Sequence, residues 1–188
     1  MTPTHADFVR NAIRVTTQNV YSEFPYRRGK PLSIVPDGEQ PEAALWFEAA
    51  STHELYTKGM LVRQQQMNDT ADDGGSWLLR YRLSTCRLEL SDPHHDGFLG
   101  HIWLKRTVTI GLSVSLWDTS GSEMLWTNTA DTTFEDRIPK RMLPTLADPS
   151  VDVLSPEAPS TAWERAAAPA LSAAAAAGVL AVLFLVVR

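Results

Sequence analysis

The sequence predicts a two-layer α/β sandwich of the α+β kind. A mostly antiparallel sheet ending in long meander strands is covered by two helices, and one further C-terminal helix crosses a membrane. Three observations predict this. Two early segments repeat apolar residues at helical spacing, HIWLKRTVTIGLSVSLW alternates apolar and polar residues, and Ala166 to Val187 carries no charge. A period near 3.6 marks an amphipathic helix, strict alternation a half-buried strand, and 18 or more apolar residues a span.

Asp7 to Phe24 places Val9, Ile13, Val20 and Phe24 on one side of a helix, with Arg10, Arg14 and Gln18 elsewhere. Pro31 to Val35 reads as a short strand closed by the turn formers Pro36-Asp37-Gly38. Glu42 to Lys58 is the second helix, with Leu45, Ala49, Thr52 and Tyr56 at helical spacing as its expected core face and Gly59 as its C-terminal cap. A short strand at Met60 to Gln64 leads into the polar loop NDTADDGGS. In WLLRYRLSTCRLEL the apolar set moves from Leu79, Tyr81 and Leu83 to Cys86, Leu88 and Leu90, and a change of phase inside a strand predicts a bulge near Ser84. Val108, Ile110, Leu112, Val114 and Leu116 then share one face of a long strand and Thr107, Thr109, Ser113 and Ser115 the other. Asp118 to Gly121 turns the chain, and Glu123 to Thr133 returns beside it.

These elements define a globular domain over residues 1–139. Pro144, Pro149, Pro156 and Pro159 then space a segment without sustained period, so 140–164 is expected to be an extended linker. Residues 165–188 form the expected anchor, strongest at Val179, Leu180, Val182, Leu183, Phe184 and Leu185. At 1.5 Å per residue, roughly 20 such residues cross a hydrocarbon core of about 30 Å. A buried Ala-rich helix or a cleaved sorting tail are the alternatives. The small residues Ala174, Gly178 and Ala181 fit close packing of two anchors, which makes a homo-oligomer an option.

The order of elements, with Leu55-x-x-x-Gly59 closing a helix and Asp118-Thr-Ser-Gly121-Ser-Glu-Met-Leu-Trp126 closing a strand pair, resembles the accessory domains of bacterial envelope proteins. These are the CsgG-like, TolB N-terminal and LpoB-like domains. The resemblance spans roughly residues 30–135. It implies a non-catalytic module that docks on protein partners in envelope assemblies. Two departures are the missing N-terminal signal with its lipidation cysteine and the anchor at the opposite end.

Composition narrows the chemistry. A net charge of -5 over 188 residues argues against a nucleic-acid partner, which would need a basic stripe to displace counterions. Cys86 is the single cysteine, so an intrachain disulfide and Cys-rich zinc sites are excluded. Asp69 to Gly74 begins like a calcium loop, but Ala71 and Arg80 stand where oxygen ligands are required. No nucleophile elbow, phosphate-cradling loop or nicotinamide fingerprint occurs, so no enzyme and no cofactor are expected. His94, His95 and Asp96 are the only candidate metal ligands, with His101 nearby in sequence. Arg80, Arg82 and Arg87, with Lys105 and Arg106, are read as a solvent-facing basic set. Trp103, Trp117, Arg80 and Arg82 are the candidate partner-binding residues, since an exposed tryptophan is a common interface anchor.

The expected function is a membrane-anchored, non-enzymatic accessory or docking protein of a bacterial cell-envelope or secretion assembly, with the bilayer and an unidentified protein as partners. The alternative is a membrane-tethered ligand- or metal-binding domain using the His94-His95 loop. The expected location is single-pass in the bacterial inner membrane or envelope. The domain is cytoplasmic if the start is complete and periplasmic if a signal has been lost. Arg165 and Arg188 flank the run at both ends and leave its orientation open.

Overall fold

The computed structural model describes residues 2–63, 76–96, 101–118, 123–146, Pro156 and Pro159. Helix α1 spans His5–Val20 and continues as a 3-10 turn, Tyr21–Glu23; strand β1 is Pro31–Pro36, helix α2 Ala44–Thr57 and strand β2 Leu61–Arg63. Three long strands follow, β3 (Trp77–His95), β4 (Ile102–Asp118) and β5 (Met124–Pro139), then a 3-10 turn at Lys140–Met142 and the short helix α3, Leu143–Leu146. The expected anchor (166–187) and the acidic loop 69–74 lie outside the described residues. Among the described residues no helix is long and apolar enough to cross a membrane.

The five strands form one mixed sheet in the order β2-β1-β3-β4-β5. The meander β3-β4-β5 is antiparallel, as the alternation predicts, but β1 runs parallel to both β2 and β3. Helix α2 makes the crossover from β1 to β2 that parallel neighbours require. The helices cover one face, where Leu79, Tyr81 and Leu83 of β3 and Val108, Ile110, Leu112, Val114 and Leu116 of β4 meet Val9, Ile13 and Val20 of α1 and Phe47 and Leu55 of α2.

Local chemistry sets the element ends. Thr4 caps α1, its Oγ1 accepting from the Asp7 amide at 3.1 Å. Gly59 closes α2 at φ 84°, with Met60 N–H donating to Leu55 O at 3.0 Å and Gly59 N–H to Tyr56 O at 2.9 Å, the paired bonds of a Schellman ending. The bulge falls where the change of phase puts it, between Leu83 and Thr85. Gly111 sits opposite, and a Cβ there would stand 2.6 Å from Ser84 Oγ. Beyond the short β1, the exposed edge of β3 is met by a side chain, as Leu83 N–H donates to Gln40 Oε1 at 2.9 Å.

The structure corrects three expectations. The face of α2 that packs on the sheet is Ala44, Phe47, Ser51 and Leu55, while Leu45 and Tyr56 of the expected core face are 67% and 72% exposed. The domain does not stop at Pro139: Leu146 is buried with Leu90, Leu104 and Ile138, so residues 140–146, expected in the linker, belong to the globular unit. Arg106, expected on a basic surface, is fully buried on the helix side of β4.

Arg106 has the partners that such burial demands. Its Nε donates to Asp136 Oδ1 at 2.9 Å and its Nη2 to Asp136 Oδ2 at 2.6 Å, a bidentate pair across the β4–β5 ladder where the two residues lie opposite each other. Nη1 reaches Pro3 O at 3.2 Å and His5 Nδ1 at 3.0 Å, and the guanidinium carbon stands 4.2 Å from the Phe8 ring centroid. The cluster ties the start of α1 to the sheet. Since the guanidinium can only donate, His5 Nδ1 is the acceptor and the ring is neutral.

Burial, then the Arg106 charge, lower the His5 pKa from 6.5 to about 4, against a smaller raising effect of Asp136. The unfolded chain therefore binds a proton in the window between those values that the folded chain does not, so stability falls as pH drops from 6.5 towards 4 and levels below it. Carboxylates elsewhere also titrate there, so the informative quantity is a difference. His5→Gln, which keeps an acceptor for Arg106, is expected to melt with a pH slope shallower across this window by on the order of 2 kcal/mol in total. Equal slopes in thermal melts at pH 7 and pH 4 would show that His5 is not the group that titrates.

Candidate docking face and helix groove

Strand alternation leaves the sheet face opposite the helices without a covering element among the described residues. The register aligns its side chains in rows. One row reads Ser33, Leu78, Trp117, Met124 and the next Val35, Arg80, Ser115 and Thr127, followed by Arg82, Ser113 and Thr129. Trp117 is half-buried, its indole N–H donating to Ser115 Oγ at 2.9 Å, and the Arg80 guanidinium stacks 5.3 Å from its ring centroid. Met124 is 50% exposed beside it.

The cations of this face divide into two groups. Towards the far end, Arg87 pairs with Glu89 at 2.8 Å and Lys105 with Glu135 at 2.7 Å. Neither Arg80 nor Arg82 meets a carboxylate among the described residues, so these two leave unmatched positive charge beside Trp117 and Leu78. Trp103 lies on the same face 14 positions away along β4, roughly 46 Å at strand rise, and so joins a different surface. There its indole donates to Asp96 Oδ2 at 2.7 Å. Trp126 faces the helices, packed edge-on to Phe24 with centroids 5.1 Å apart.

The histidine pair falls within β3 rather than in a free loop. A register shift between Ser91 and His94, with Asp92 at φ 50°, marks an irregularity, after which His94 and His95 pair with Trp103 and Ile102. His94 Nε2 is 3.9 Å from Asp96 Oδ1, and the His95 side chain lies outside the described residues. Among the described residues no three of His, Cys, Asp and Glu gather in a metal-holding group. Cys86 is half-buried and burial pushes its thiol up to about 11, which leaves little thiolate near neutral pH.

The helix layer carries two concavities that periodicity did not reveal. One, of about 530 Å³, lies beside β2 and is lined by Ile34, Leu45, Glu48, Thr52, Tyr56 and Val62. The other, of about 310 Å³, lies between α1 and α2, with Arg10, Arg14 and Thr17 on one wall and Trp46, Ala50 and His53 on the other.

Several solved structures are similar to this chain. Lipoprotein GNA1162 from Neisseria meningitidis is 18% identical, with 57% of this chain and 84% of that one covered and a TM-score of 0.39. The LpoB C-terminal domain from Salmonella enterica is 11% identical over 66% of this chain and 97% of that one, with a TM-score of 0.37. A minor lipoprotein from Acinetobacter baumannii is 19% identical over 67% and 84%, with a TM-score of 0.32. No protein-family model and no curated protein sequence matches the chain.

Proposed function

We propose that the chain is a non-enzymatic docking protein of a bacterial cell-envelope or secretion assembly, held to a membrane by its C-terminal apolar run and engaging a protein partner through the open face of its sheet. The observation that carries this reading is the row of Leu78, Trp117 and Met124 flanked by Arg80 and Arg82, two cations with no carboxylate beside them among the described residues. A half-buried indole next to unmatched guanidinium groups is the composition of an interface centre, where aromatic residues and arginine are enriched. The uncharged stretch Ala166 to Val187 supports attachment to the bilayer, and the spacing of Asp118, Gly121 and Trp126 in the sequence adds the resemblance to envelope accessory domains.

A photo-crosslinking residue at Ser115, inside the face, tests the reading in the native host. A discrete adduct with one envelope protein is expected, diminished at least tenfold by adding Trp117→Ala and Arg80→Glu, and missing when the crosslinker stands at Thr57. Extraction at alkaline pH should leave the full chain with membranes and release one ended after Leu146. An adduct indifferent to the double substitution would remove the face from the proposal, and release of the full chain by alkali would remove the anchor.

A further inference from the structure

The groove between α1 and α2 has a built character unrelated to the sheet face. Arg10 and Arg14 are one helical turn apart on α1 and project from the same side. The Arg10 guanidinium carbon stands 5.5 Å from the centroid of Trp46 on α2, so an exposed cation and a flat aromatic wall share one end of the groove. Below them Thr17 is buried, and Ala50 keeps the α2 wall low and apolar.

The charges facing this space do not cancel at the Trp46 end. The cations of the lining are Arg10 and Arg14, and its one carboxylate is Glu54. Glu54 stands eight residues beyond Trp46 on α2, about 12 Å along that helix at its rise per residue, and so lies away from the Trp46 end. Arg10 pairs with Asp7 at 3.5 Å, but both side chains are more than half exposed, so the pair is screened by solvent and weak enough for the guanidinium to exchange it for a ligand carboxylate. Among the described residues Arg14 donates to the neutral Asn11 amide oxygen, at 2.9 Å, and meets no carboxylate.

We propose that this groove binds a small apolar carboxylate, with the aromatic or branched body of the ligand against Trp46 and Ala50 and the carboxylate held by Arg10 and Arg14. A volume of about 310 Å³ suits a ligand of small-molecule size, since such pockets begin near 300 Å³. Guanidinium is the cation suited to carboxylate because its planar fork donates two parallel bonds. An apolar floor with a few charged groups at one end selects amphiphilic anions over neutral or cationic isosteres.

The test uses the full chain in nanodiscs, with 2-naphthoate as the probe and 2-naphthamide as its neutral isostere. The indole N–H resonance of Trp46, assigned through Trp46→Phe, is followed during titration. Saturable binding of 2-naphthoate with a shift at Trp46 is expected. The amide should bind at least tenfold more weakly, and Arg10→Gln with Arg14→Gln should reduce 2-naphthoate affinity at least tenfold. Both arginines are exposed, so the double variant is expected to keep the wild-type spectrum elsewhere, and circular dichroism checks this. Equal affinity for acid and amide, unchanged affinity in the double variant, or no shift at Trp46 would each overturn the proposal. The photo-crosslink at Ser115 reads the opposite side of the sheet, so either result can fail without the other.

Discussion

Asp136→Ala is expected to destabilise the fold by about 3 to 5 kcal/mol, because it strands the fully buried Arg106 charge with only His5 Nδ1 and Pro3 O as acceptors. The loss comes from the uncompensated cation rather than from the value of the pair. A charge taken from water is repaid only when a counter-charge and hydrogen bonds meet it, and here Asp136 supplies two of the four bonds and all of the negative charge. Arg106→Met removes the charge together with its need for a partner and should cost less than Asp136→Ala, as should the pair Arg106→Met with Asp136→Leu. Chemical denaturation of the three variants gives the comparison. If Arg106→Met proves as damaging as Asp136→Ala, packing of the side chain rather than its unpaired charge governs this region.

The second large effect is expected on α2, where the two sides of one helix should respond differently. Leu55→Ala, at a position with no exposure, should cost about 2 to 5 kcal/mol through lost apolar burial and the cavity left between helix and sheet. Leu45→Ala and Tyr56→Ser, at positions 67% and 72% exposed, should each stay within about 0.5 kcal/mol of wild type. Urea midpoints with unchanged slopes would read the difference directly. Comparable losses at Leu45 and Leu55 would mean that both sides of α2 are covered in the full chain, and the groove beside β2 would then be an occupied interface.

The sequence by itself determined the features in which one physical preference acts alone over neighbouring residues. Alternation over β4 set its two faces because a pleated strand sends successive side chains to opposite sides. The phase change at Ser84 located the bulge for the same reason, and Gly59 marked the end of α2 because glycine takes the left-handed conformation without strain. The face of α2 was not legible. In ALWFEAASTHELYT apolar residues lie on every side, so helical period admits either stripe, and the space beside Leu79 and Tyr81 decides for Phe47 and Leu55.

Arg106 shows the same division more sharply. The alternation of β4 assigned it to the inner face with Leu104 and Val108, while its charge argued for solvent. Only the tertiary structure resolves the conflict, because the partners that make burial tolerable stand 30 residues away at Asp136 and 101 away at His5. The parallel placement of β1 beside β3 and the burial of Leu146 against Leu90 and Leu104 are likewise non-local. The candidate sites divide along the same line. Trp117 was visible as an odd member of a polar strand face, but the unmatched charge of Arg80 and Arg82 beside it follows from strand register. The groove joining Arg10 and Arg14 to Trp46 exists only because two helices, separated by β1 in sequence, pack side by side on one face of the sheet.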